Sequence, residues 1–225
     1  MNASNTYRAK RIVDVVVAGV ALVVLSPVIL AIAIAIRITS PGPILYRGVR
    51  VGRFGKPFRM LKFRTMVVNA DKLGGPSTAT GDPRVTHTGR LLRAFKLDEL
   101  PQLFNVLLGD MSIVGPRPEV QKYVDLYSPG EAQILLLKPG ITDWASIWNS
   151  DEGAVLAGTS DPDRAYEELI RPTKIRLQLK YASECSFLVD VRILLATAAR
   201  LVVPDWMPSE LSPYGRLTPA SKEQI

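Results

Sequence analysis

The hydrophobic pattern divides the chain into one long apolar run and a body of short alternating segments. From Val15 to Ile36 no charge interrupts the apolar side chains, and as a straight helix the run is about 33 Å long, enough to cross a bilayer. Arg8, Lys10 and Arg11 precede it and Arg37 follows. Ser26-Pro27 lies in its middle, where proline removes a helix hydrogen bond and a neighbouring serine can satisfy the freed carbonyl. Positions 37 to 64 hold eight basic residues and no acid, so positive charge crowds both ends. The positive-inside tendency then places both ends on the cytoplasmic side. A helix that enters, bends at Ser26-Pro27 and returns satisfies both observations; a kinked single span is the alternative. A cleaved signal peptide is a third reading, against which the run is long for an h-region.

Beyond the run, Ile44–Arg50 and Phe58–Met66 have strand-like content around a turn-rich Gly52–Pro57, which predicts a basic β-hairpin. Asn69–Thr88 is rich in Gly, Pro, Ser and Thr and reads as a long loop. Gly89–Lys96 is short and basic, with Leu91, Leu92 and Phe95 on one side. Leu100, Leu103, Phe104, Leu107 and Leu108 have the spacing of an amphipathic helix, with Pro101 in its first turn and Gly109 as its stop. A short strand, Met111–Val114, leads to Pro116-Arg117-Pro118. Glu119–Tyr127 is expected as a helix and Ile141–Gly158 as an irregular stretch. Ser160-Asp161-Pro162 begins a helix to about Ile170, and Pro172 begins the next. Phe187–Val203 reads equally as an amphipathic helix on a membrane surface or as a core helix, and the chain beyond Pro208 as a polar, loosely held tail.

Composition narrows the picture. With 225 residues the chain can bury one core. A mean hydropathy of +0.14 is high for a soluble domain and low for a multi-span membrane protein, which fits one membrane segment on a globular body. A net charge of +7 and a pI near 9.6 imply an acidic partner: nucleic acid, anionic lipid or a phosphorylated substrate. Cys185 is the only cysteine and His87 the only histidine, which excludes an intramolecular disulfide, a cysteine-rich zinc site and a histidine-based triad.

The chemistry concentrates in residues 97–118. Asp98 and Glu99 stand at a helix start, where free N–H groups and the macrodipole favour negative charge. Adjacent acids can hold a divalent cation or attack as a nucleophile, and a rigidly placed guanidinium at Arg117 suits phosphate. The plainer reading makes Asp98 a helix cap and Arg117 a surface turn residue.

These residues, with Lys10-Arg11 and Asp14, Ser26-Pro27, Pro41-Gly42-Pro43, Lys62–Met66, Leu92-Arg93, Asp98–Leu103, Asn105–Leu107, Gly109–Ser112, Val114–Pro118 and Pro139–Thr142, occur in an order that resembles the small monotopic phosphoglycosyl transferases, bacterial sugar transferases in their minimal form. The likeness covers nearly the whole chain. It implies an α+β fold: a single membrane-associated domain with an N-terminal re-entrant segment broken at Ser26-Pro27 (1–39), a catalytic body with the basic hairpin and amphipathic interfacial helices (40–208), and a polar tail (209–225). It implies a monotopic protein of the bacterial inner membrane facing the cytoplasm. The implied reaction moves a sugar-1-phosphate from a UDP-sugar to a polyprenyl phosphate such as undecaprenyl phosphate, with Mg²⁺, releasing UMP and starting glycoconjugate assembly. By the same likeness Asp98 is the nucleophile that forms a covalent phosphosugar intermediate, and Glu99 assists it in holding the metal. Arg93 and Arg117 match phosphate or nucleotide contacts, and Lys62 and Arg64 are assigned with them.

One stretch departs from the family pattern. Many members continue Pro-Gly-Ile-Thr with glycine, whereas Asp143-Trp144-Ala145-Ser146-Ile147 follows here, with Asp151-Glu152 shortly after. This leaves the sugar unidentified. Polyprenol length and oligomeric state, a homo-oligomer included, are equally open. A membrane-tethered basic adaptor would explain the charge but gives Asp98-Glu99 no role. A UDP-sugar diphosphatase would use the same acids without an acceptor. A nucleic-acid binder leaves the apolar run unexplained and lacks interleaved aromatics, so no nucleic-acid partner is expected.

Overall fold

The computed structural model describes residues 9–215, so Arg8 and the last part of the 209–225 tail lie outside the described residues. The chain mixes helices with two small sheets, and its longest element is α1, Lys10–Thr39. Expected as two halves, α1 is one uninterrupted run of helical backbone through Pro27. The reason is local. Pro27 has no N–H, so the carbonyl four residues back, Val23 O, loses its partner, and Ser26 Oγ donates to that oxygen at 2.8 Å. By length and composition α1 could cross a membrane, yet it lies along the body. Ala18 packs into the main core, while Ile32 and Ile36 join Phe63 and Leu92 in a second cluster.

Strands β1 (Leu45–Val51) and β2 (Pro57–Phe63) form the antiparallel hairpin, with Leu45 opposite Phe63 and Val51 opposite Pro57. Its reversal is a 3₁₀ turn at Arg53–Gly55. The long loop is less free than its composition predicts. Arg84 pairs with Asp82 at 2.7 Å and donates to the carbonyls of Gly75 and Ser77, and Met66 bridges to Val85. Helix α2 (His87–Ala94) starts where Thr86 Oγ1 accepts the Gly89 N–H at 3.0 Å. Gly89 has to be glycine, since a Cβ would sit 2.0 Å from Thr65 O.

A 3₁₀ turn at Leu97–Glu99 leads into α3 (Gln102–Leu108), which ends at Gly109 as predicted. The face α3 buries is not the predicted one. Gln102, Leu103, Asn105 and Val106 point inward, while Phe104, Leu107 and Leu108 are exposed. Asn105 is buried because it works as a backbone clamp, accepting from Leu61 N and donating to Arg59 O, both at 2.9 Å. Strand β3 (Ser112–Val114) pairs in parallel with β4 (Gly140–Thr142). Gly115 and Gly140 let the two backbones meet, since a Cβ on Gly140 would lie 2.1 Å from Gly115 N.

The helix expected over Glu119–Tyr127 shrinks to α4, Gln121–Val124. The stretch expected as irregular contains β4, α5 (Trp144–Trp148) and α6 (Glu152–Val155), because Asp143 and Asp151 cap the two helices through Ser146 N and Ala154 N. Asp161 caps α7 (Pro162–Ala165), which runs through a π-type turn at Tyr166–Ile170 into α8 (Arg171–Glu184). Helix α9 (Phe187–Val202) buries Asp190, Ile193 and Ala196 and exposes Leu188, Leu195 and Leu201. The tail is packed where it is described: Leu211 is buried, and Trp148 Nε1 donates to Gly215 O at 2.9 Å.

Candidate active site

Three segments converge on the acid pair. Leu97 and Leu100 pack against the cluster of Ile32, Ile36, Phe63 and Leu92, which fixes the 3₁₀ turn carrying Asp98 and Glu99. Lys62 comes from β2, and its Nζ donates to Glu99 Oε1 at 2.8 Å. Arg117 follows β3, with Nη1 donating to Glu99 Oε2 at 3.0 Å and Nη2 to Glu99 Oε1. Both oxygens of Glu99 are therefore held by cations. Burial alone would raise its carboxyl, but the charges of Arg117 and Lys62 and their hydrogen bonds hold it well below the usual carboxylate range.

Asp98 differs from its neighbour. It is 6% exposed, and burial pushes its carboxyl above the ordinary value. Lys62, Arg93 and Arg117 pull it back while Glu99 adds to the rise. Among the described residues none hydrogen-bonds its carboxylate, so its oxygens face three cations without being occupied by any. Burial lowers Lys62, with Arg117 adding to that and Glu99 opposing it. Arg93, in the last turn of α2, donates from Nε to Thr65 Oγ1 at 2.9 Å and senses Asp98 as its strongest charged neighbour.

The structure thus brings Asp98, Glu99, Lys62, Arg93 and Arg117 into one electrostatic cluster. It does not bring Arg64 there. Both its terminal nitrogens are taken by the carbonyls of Pro41 and Ser40, at 2.6 and 2.8 Å, so its guanidinium ties the exit of α1 to β2.

Around Arg117 the structure adds charged and hydrogen-bonding groups that the sequence pattern does not point to. Asp143 Oδ2 accepts the Arg117 N–H at 3.1 Å, and Gln178 Nε2 donates to Arg117 O at 3.2 Å. Lys174 is buried against Glu119 and Tyr166, and the charge of Glu152 acts on both Arg117 and Lys174. Asp143 and Glu152 did carry a signal, as acids in the segment that departs from the family pattern. Gln178 and Lys174 sit within an ordinary helix and carried none.

The Lys10-Arg11…Asp14 motif fastens the start of α1 to the body. Lys10 pairs with Asp190, and Arg11 Nη2 donates to Leu107 O at 2.9 Å at the end of α3. Asp14 accepts from Ser112 Oγ at 2.8 Å and from Ile113 N at 3.0 Å. The first turns of α1 are thereby fastened to β3, the strand that delivers Arg117.

Comparison with known proteins adds an independent line. A family model described as bacterial sugar transferase matches residues 5–204. The chain is 41% identical over 202 residues to a UDP-glucose:undecaprenyl-phosphate glucose-1-phosphate transferase of Caulobacter vibrioides, covering 87% of this chain and 70% of the relative. It is 40% identical over 194 residues to the Escherichia coli protein of the same name, covering 84% and 39%. With a UDP-N-acetylgalactosamine-undecaprenyl-phosphate N-acetylgalactosaminephosphotransferase of Aeromonas hydrophila it shares 37% over 191 residues, covering 84% and 42%. The chain thus spans well under half the length of the last two relatives.

Proposed function

The chain belongs to the bacterial sugar transferase family, and from that membership we propose that it moves a sugar-1-phosphate from a UDP-sugar to a polyprenyl phosphate, undecaprenyl phosphate being the acceptor named for its relatives. The observation that carries this reading is the contrast within the acid pair. Glu99 is occupied by Lys62 and Arg117, whereas Asp98 beside it is buried, unbonded and faced by cations.

In the first step an Asp98 carboxylate oxygen attacks the β-phosphorus of the donor. A new O–P bond forms, the bond to the bridging oxygen breaks, and UMP leaves with the electron pair. In the second step a phosphate oxygen of the polyprenyl phosphate attacks the same phosphorus and releases the Asp98 carboxylate. The product is a polyprenyl-diphospho-sugar. Arg117, Lys62 and Arg93 receive the negative charge of the transferring and leaving phosphates. Two successive displacements let a soluble donor and a lipid acceptor use one site in turn.

The donor set fits Mg²⁺ in part. Mg²⁺ takes oxygen ligands and is commonly held by one or two carboxylates together with substrate phosphates. Asp98 has oxygens to offer, while Glu99 joins only when Lys62 or Arg117 turns to the substrate. Among the described residues no cluster of three metal-ligating side chains exists, so substrate phosphates would have to complete the coordination. When bound, the ion screens the carboxylate from the diphosphate it attacks.

The long apolar α1 and the membrane-lipid acceptors in the relatives' names point to membrane association. That both ends of α1 lie on one side of the membrane is supported by its being fastened to one body at both ends. Lys10 and Asp14 hold its start, and Thr39 Oγ1 meets Thr88 Oγ1 at 2.9 Å near its exit. A segment about 45 Å long that crossed the bilayer would carry one end away from the body. The ion pair of Lys10 with Asp190 also argues against a leader that is cut away.

The test is UMP release from a panel of UDP-sugars with and without polyprenyl phosphate. Release that requires the acceptor is the expected result. Release without it would make the protein a diphosphatase, and no release with any donor would favour the membrane adaptor.

A further inference from the structure

Arg117 is flanked by Pro116 and Pro118, so across these three residues the only main-chain N–H is its own. That amide is not spent on secondary structure. It donates to Asp143 Oδ2 at 3.1 Å, and Gln178 Nε2 bridges the same carboxylate oxygen, at 3.3 Å, and Arg117 O, at 3.2 Å. The other oxygen, Asp143 Oδ1, accepts from Ser146 N and Ser146 Oγ, both at 2.6 Å. Asp143 is 0% exposed, and a carboxylate buried that deeply is tolerable only with such a set of donors.

From this geometry we propose that Asp143 is a positioning residue for Arg117. It fixes the main chain at one end of the arginine while Glu99 fixes the guanidinium at the other. A side chain held at both ends keeps the N–H groups that Glu99 leaves unused aimed in one direction without paying rotamer entropy at each turnover. The proposal rests on the reading of Arg117 as a phosphate-binding residue.

Asp143→Asn separates anchoring from folding. Asparagine caps a helix as well as aspartate does, so its oxygen keeps Ser146 and α5 in place. Its amide nitrogen would then face the N–H of Arg117 and the amide of Gln178, donor against donor. In the full-length protein in nanodiscs, hydrogen exchange at the Arg117 amide should accelerate about tenfold, the loss of one ordinary hydrogen bond. The KM for the UDP-sugar should rise about tenfold while that for polyprenyl phosphate stays within about twofold. Ser146→Ala, which removes one of the donors to Asp143 and leaves Asp143 itself in place, should move both readouts the same way by about threefold. It carries the test if Asp143→Asn does not fold.

Unchanged exchange at Arg117 in the folded variant overturns the proposal. So does an equal rise in both KM values, which marks general damage rather than a misplaced arginine. The exchange measurement needs no substrate. A wild-type protein that turns over no donor, yet shows the faster exchange in the variant, would sink the proposed reaction and leave the anchor standing.

Discussion

Arg117 and Glu99 meet as a fork on a fork, with Nη1 on Oε2 and Nη2 on Oε1, so the plane of the guanidinium is set by the plane of the carboxylate. Lysine can reproduce the charge of this pair but not its plane. Arg117→Lys should keep the fold and lose about 10- to 100-fold in kcat/KM for the UDP-sugar, the difference between a forked and a single charged contact. Steady-state kinetics decide it, and full activity in the lysine variant would return Arg117 to the role of a turn residue.

Removing the proposed nucleophile should make the protein more stable. Burial holds the Asp98 carboxyl above its unfolded value, so the folded state binds that proton more readily than the unfolded chain does. By linkage, stability falls as pH rises from the unfolded value through the folded one, and at neutral pH the ionised carboxylate opposes folding. Asp98→Asn should abolish turnover and covalent labelling by the donor while raising stability by about 1 kcal/mol, a few degrees in Tm. A variant that loses activity together with stability would make Asp98 structural.

The same shifts set the pH profile. Asp98 has to be ionised to attack, and burial raises its carboxyl, so the acid limb of kcat/KM should lie above the ordinary aspartate value of about 3.9. Lys62 has to be protonated to hold phosphate, and burial lowers it, so the alkaline limb should lie below the ordinary lysine value of about 10.4. Glu99 runs the other way. Held low by Arg117 and Lys62, it contributes stability above the unfolded glutamate value that is lost only as pH falls through its folded one. A profile recorded with saturating acceptor tests the limbs, and an acid limb that persists in Asp98→Glu at an unchanged pH would remove Asp98 as its source.

Cysteines placed at Asn5 and Ser40 in a Cys185→Ser background report the course of α1. Both should resist a membrane-impermeant thiol reagent in intact spheroplasts and react after lysis. Labelling at position 5 before lysis would establish a span instead.

What could be read from the order of residues was whatever depends on local rules. The apolar core of α1, the hairpin, the Gly109 stop and the helix start at Ser160-Asp161-Pro162 follow from periodicity and turn chemistry, whereas the unbroken course of α1 through Pro27 does not. The acid pair and Arg117 stand out in the sequence because their motif is dense, and the structure brings them together. The inner face of α3 was not legible, since the periodicity argument assigns apolar residues inward. Here Gln102 and Asn105 take the inside, and Phe104, Leu107 and Leu108 stand out beside an apolar helix. Arg64 sits apart from the cluster for a related reason: charge alone does not say whether a guanidinium faces a substrate or, as here, main-chain carbonyls. Asp143 and Gln178 depend on contacts across 26 and 61 residues to Arg117, a distance over which no local pattern speaks.

The attachment of α1 at both ends has a consequence for how it can vary. A helix that crosses a bilayer adjusts to thickness by tilting or by gaining a turn. In this chain one added turn would slide Ile32 and Ile36 about 5.4 Å past Phe63 and Leu92 while Asp14 stayed with Ser112. The span between those anchorages is thus measured by the protein's own body, and the surrounding lipid has to conform to it.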